Sequence, residues 1–168
     1  MKKPEVWMRG PLEGVPGLLQ PVGHALLQAV EEVEVILQDV NVATLWTRPA
    51  GMASVGFHLR HLTGVLDRLF TYARAESLSP SQLEYLEGET VPGDESPDAL
   101  FDRFRSQVDR AITQLKQTSE KELLLPRGIG RKQIPTTVLG LLFHAAEHTQ
   151  RHVGQLLVTA KWQSESKV

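Results

Sequence analysis

Apolar residues recur at steps of three and four through most of the 168-residue chain, a spacing that buries one stripe of a helix and does not suit a strand. Between residues 18 and 40 the spaced set is Val22, Leu26, Ala29, Val33, Ile36 and Leu37, which predicts a first long helix. The stretch NVATLWTRPAGMA breaks the pattern, with Pro49 and Gly51 as punctuation. From 54 to 76 the stripe resumes as Val55, Leu59, Leu62, Leu66, Leu69 and Ala73, with Ser54 as N-cap.

The next connection, SLSPSQLEYLEGETVPGDES, is broken by Pro80, Pro92 and Gly93 and holds at most one short helix at 80–87. A link of that length points to a crossover between non-adjacent or parallel helices, because a tight hairpin needs far fewer residues. Ser96 followed by Pro97 is a strong helix start, and Leu100, Phe104, Val108, Ala111, Ile112 and Leu115 give the third long helix its stripe. After a loop with a brief extended pair around Gly128 and Gly130, Pro135 is expected to open a fourth long helix running to about Trp162, leaving SESKV as a frayed tail. Four amphipathic helices and almost no strand predict an all-α fold, a four-helix bundle with a long crossover between helices two and three. The length suits one domain over residues 1–168.

Composition narrows the function classes. The net charge is -2 and Lys and Arg are scattered, so neither a nucleic acid nor an anionic membrane surface is an expected partner. The N-terminal stretch is interrupted by Pro and Gly and does not read as a signal peptide, and no run reaches the roughly 20 apolar residues of a membrane span. A cytoplasmic location is expected. There are no cysteines. Disulfides and a protein thiol nucleophile are therefore excluded, and any metal site must use His and carboxylates.

Three of the six histidines fall in HAAEHTQRHVGQ, at His144, His148 and His152. Residues four apart on a helix differ by about 40°, so neighbouring members of the ladder can reach one ion. With His148 at the origin, Leu141, Ala145, Val138, Leu156 and Leu142 define an apolar sector that contains His152 and has His148 at its margin. His144 turns away, beside Arg151 and Gln155. Two inward imidazoles need partners, and carbonyls, waters or carboxylates serve most core histidines. A ligand from the second helix is the alternative, and FHLRHL offers both His58 and His61. His58 lies nearer the stripe centre and His61 on its flank; spacing alone does not choose.

The segments LWTRPAG, SVGFHLRHLTGVLDRL and HAAEHTQRHVGQLL together resemble the DinB/YfiT-like family of metal-dependent bundle proteins. Its members have a helix-two His followed by Leu and a small-residue stretch, matched by His61 and LTGVLD. They also have a late H-x-x-x-H before x-Gly-Gln, matched by His148, His152 and Val153-Gly154-Gln155. Many relatives carry Arg where Val153 stands; that is not a ligand position, and any substrate contact made by that Arg does not carry over.

The resemblance implies an open three-His site of His61, His148 and His152 for a divalent metal ion, with Zn, Ni, Fe or Mn all suited to it. It further implies thiol S-transferase-like or hydrolase chemistry on a small-molecule substrate, with a low-molecular-weight thiol as one candidate. A homodimer is expected, with the Pro/Gly-rich N-terminal arm packing across the partner. The competing class is a non-catalytic, stress-related bundle protein with a structural or vestigial metal site. No catalytic residue is assigned: His58 reads as packed core, His144 and Glu147 as surface, Gln155 as a solvated position or a ligand-orienting one, His24 as a partly exposed helix residue, and Trp7 and Trp46 as covers for the ends of the core.

Overall fold

The computed structural model describes residues 3–165. Among these residues are five α-helices, α1 (Gln20–Leu37), α2 (Val55–Ala73), α3 (Pro80–Gly88), α4 (Pro97–Gln117) and α5 (Val138–Glu165), and one hairpin between the last two, β1 (Pro126–Ile129) and β2 (Ile134–Thr137). The four long helices form the bundle. Every stripe residue named above for α1 and α2 is buried, and so is the α4 set except for a partly covered Ile112.

Side-chain caps mark where the helices begin. Ser54 accepts a hydrogen bond from the Phe57 amide and Ser96 from the Ala99 amide, each satisfying one of the open N–H groups of a first turn. At α3, Ser79 and Gln82 bond each other's backbone in a reciprocal capping box, and Pro80 supplies a preset first residue.

Helix α5 begins at Val138 and not at Pro135. Pro135 and the β-branched Thr136 and Thr137 extend instead as β2 against Gly128, Arg127 and Pro126. Thr137 then caps the helix by accepting from the Gly140 amide. Ser164 and Glu165 continue the helix, so the frayed tail does not start there; residues 166–168 lie outside the described residues.

Packing contacts give the arrangement: α1 and α2 each pack on both α4 and α5, so the consecutive pairs α1–α2 and α4–α5 sit on diagonals. Gln114, near the end of α4, bonds the Phe70 carbonyl near the end of α2, which makes those two helices parallel. Helix α5 runs alongside α1, with Gln150 on the Ala25 carbonyl and Lys161 on Asp39. The long connection through α3 is thus a crossover between parallel neighbours, because it must return the full length of the bundle. Among the described residues no helix is long and apolar enough to cross a membrane.

The N-terminal arm lies on its own α1. Gln28 accepts from the Val6 amide, and Arg9 pairs with Glu31. Trp7 does not cover the core: it is 62% exposed, its indole N–H held outward by Glu5. Trp46 does pack on the core, flat over Gly56, where a methyl group would come within 2.9 Å of the indole ring.

Candidate metal centre

Helices α2 and α5 run antiparallel and bring four histidines face to face. His61 Nε2 lies 3.0 Å from His148 Nε2, and His58 Nδ1 lies 3.1 Å from His152 Nδ1. The His152 ring sits between, its centroid 4.4 Å from that of His61 and 4.5 Å from that of His148. His61, His148 and His152 each offer one ring nitrogen within 4.8 Å of the other two, so this group could hold a metal ion. Phe57 stacks on the outer face of His61 with ring centroids 5.2 Å apart.

The electrostatics favour lone pairs over protons. Burial, reinforced by neighbouring His61, pushes the pKa of His148 down to about 4 and that of His152 to about 3; burial and His61 push His58 to about 4. All three are therefore neutral imidazoles in neutral solution. On His61 the proton position follows from its partner. Glu89 Oε2 lies 2.7 Å from His61 Nδ1, and a carboxylate can only accept, so Nδ1–H donates and the neutral ring presents its lone pair at Nε2. Two ligand nitrogens at about 2.0–2.1 Å from one ion stand about 3 Å apart, the scale of the His61–His148 separation. The donor set fits a divalent transition ion: neutral imidazoles, no thiol, and a carboxylate behind one ring.

The site is only partly enclosed. A cavity of about 510 Å³, lined by Met52, Ala53, His58, Arg151, Gln155 and Val158, reaches the cluster at His58, the neighbour of His152. A larger cavity of about 670 Å³ lies between Tyr72 at the end of α2 and the hairpin, away from the histidines. At the rim, His144 Nδ1 and Arg151 both bond the Glu147 carboxylate, at 2.6 and 2.5 Å. His144, Glu147 and His148 form a second close group of potential ligand atoms, but Arg151 already neutralises its carboxylate.

His148 and His152 turn inward and His144 is exposed, as the helical rotation requires. Gln155 is exposed beside the cavity, and His24 is partly exposed with its Nε2 near the Gly10 carbonyl. His58 is buried in the core, yet it is more than packing because its ring meets His152.

Sequence reading missed Glu89. Only 2% exposed, it comes from the crossover and is held on its other oxygen by Arg68 Nη1 at 2.6 Å. Arg68 was the available signal. It stands seven residues after His61 on the same helix face, between buried Leu66 and Leu69, where a guanidinium needs a carboxylate partner. Five acidic residues between 84 and 95 could have answered it, and periodicity does not choose among them.

The family model described as the DinB superfamily matches residues 25–156, which is most of the chain and includes all four clustered histidines. No curated protein matches the chain.

Proposed function

The chain belongs to the DinB superfamily, and from that premise we propose that it is a metal-dependent enzyme acting on a small molecule, with His61, His148 and His152 holding a divalent ion. The observation that carries the reading is the convergence of three partly exposed ring nitrogens from two antiparallel helices. A purely structural site would be closed by a fourth protein ligand; three imidazoles leave a position for substrate. Zn, Ni, Fe and Mn all accept this donor set.

When bound, such an ion supplies Lewis acidity that lowers the pKa of a thiol or water in its open position. The chain itself supplies the rest. His148 and His152 arrive already deprotonated because burial has stripped their protons. Phe57 covers the His61 ring, and Met52, Ala53 and Val158 give the cavity beside His58 an apolar wall. With no cysteine in the chain, a thiol nucleophile comes from the substrate. Thiol S-transfer with a low-molecular-weight thiol and hydrolysis are the two reactions such a site would support.

Turnover of a thiol such as cysteine or glutathione with a chromogenic electrophile tests this. Chelator-stripped protein should lose the reaction above the uncatalysed rate and regain it on adding Zn²⁺, Ni²⁺, Fe²⁺ or Mn²⁺. Turnover that is indifferent to stripping would refute metal dependence. Ion binding without turnover of any thiol or ester supplied would favour a non-catalytic bundle.

A further inference from the structure

We infer that Glu89 is the positioning residue of the metal centre: delivered by the crossover, it fixes the His61 ring and tautomer so that Nε2 faces the ion. This rests on the reading of His61 as a ligand. The geometry is specific on three counts. The carboxylate bridges two donors, His61 Nδ1 at 2.7 Å and Arg68 Nη1 at 2.6 Å, so both of its oxygens are committed. It is nearly sealed from solvent, where a charge persists only with such partners. Space for it is made by Gly64, one turn along α2 from His61, where an added methyl would collide with both the Glu89 carboxylate and the Arg68 guanidinium.

The crossover backbone on either side of Glu89 is also clamped. Arg60, adjacent to His61 in sequence, donates to the carbonyls of Gly88 at 2.9 Å and Val91 at 2.5 Å, and pairs with Glu95. The Arg60 guanidinium in turn lies over the Trp46 ring, 4.6 Å from its centroid. Neighbouring residues of α2 thus hold the crossover and receive its carboxylate. Because Arg68 balances Glu89, the pair adds no net charge to the centre. Its contribution is orientation: a hydrogen bond to the far ring nitrogen restricts rotation of His61 and raises its basicity.

The test uses the full chain and Zn²⁺ alone. Glu89→Ala leaves Arg68 buried without a partner and risks misfolding, so Glu89→Ala/Arg68→Met, which removes both charges, is made beside Glu89→Gln. Long-range nitrogen–proton correlation spectra of the metal-free protein should show His61 protonated at Nδ1 in the wild type and predominantly at Nε2 in the double variant. Zn²⁺ affinity, measured by competition with a chromogenic chelator, should fall roughly 10- to 100-fold in the double variant. It should fall less in Glu89→Gln, whose amide oxygen still accepts from Nδ1–H. A His61 tautomer unchanged in the double variant, or an unchanged Zn²⁺ affinity in a wild type that binds, would overturn the assignment. If the wild type binds no Zn²⁺, the ligand reading fails on its own, and the tautomer spectra still decide whether Glu89 positions His61.

Discussion

His58 and His152 meet across the α2–α5 interface with their Nδ1 atoms 3.1 Å apart, and one of the two must carry the proton that joins them. Burial holds both rings neutral, so the contact is a hydrogen bond between uncharged imidazoles. His152 leans on His58 much as His61 leans on Glu89, whereas the buried Nδ1 of His148 has no hydrogen-bond partner among the described residues.

Replacing His58 with Leu would keep most of the volume and remove the partner of His152. Leaving that nitrogen buried and unpaired costs about 1–3 kcal/mol, which chemical denaturation of the metal-free protein would read directly. Zn²⁺ affinity should fall by about 10-fold or more through the freed His152 ring. Unchanged stability and affinity would show that the contact is incidental packing.

Stability of the metal-free protein should depend on pH in a defined window. In the unfolded chain each of these histidines takes up a proton near pH 6.5; in the native state His58 and His148 do so near 4 and His152 near 3. Between those limits the unfolded state binds more protons. The contribution is therefore complete above about pH 6.5 and is lost as pH falls toward 4. Thermal unfolding in the presence of a chelator should show the midpoint falling from pH 6.5 to 4.5, with a shallower fall in His58→Leu. A midpoint flat across that interval would contradict the assignment of neutral buried rings.

Two glycines should respond to alanine in opposite directions. At Gly64 the added methyl meets the Glu89 carboxylate and the Arg68 guanidinium, an overpacking that costs about 1–3 kcal/mol and should weaken Zn²⁺ binding. At Gly154 on α5 the same methyl meets nothing within 4 Å, and the gain in helix propensity should stabilise by about 0.5–1 kcal/mol. Denaturant midpoints of the two variants check both signs. Equal destabilisation at both positions would mean that loss of glycine itself, and not the collision with Glu89, is responsible.

Much of the architecture was legible from local rules. The three- and four-residue stripes of α1, α2 and α4 are the buried faces, and Ser54, Ser96 and Pro97 stand where the helices start because capping is decided within one turn. Rotation along α5 separated His148 and His152 from His144 for the same reason. What escaped depends on contacts that helical periodicity does not encode. Pro135 reads as a helix opener until the β1 strand pairs with its segment. Trp7 reads as a core cover until Glu5 is seen to hold its indole outward. Glu89 stands 28 residues after His61, on a crossover whose path is set by Arg60 and Arg68, and no periodicity links a loop carboxylate to a helix face.

The most direct test of the centre is the Zn²⁺ stoichiometry of the purified, chelator-stripped chain, measured by titration calorimetry on the wild type and on His61→Ala, His148→Ala, His152→Ala and His144→Ala. The account predicts one ion per chain in the wild type and in His144→Ala, and loss of that ion in the other three. No binding by the wild type, or binding lost in His144→Ala but kept in His61→Ala and His152→Ala, would contradict it; the second pattern would move the ion to the outer group of His144, Glu147 and His148.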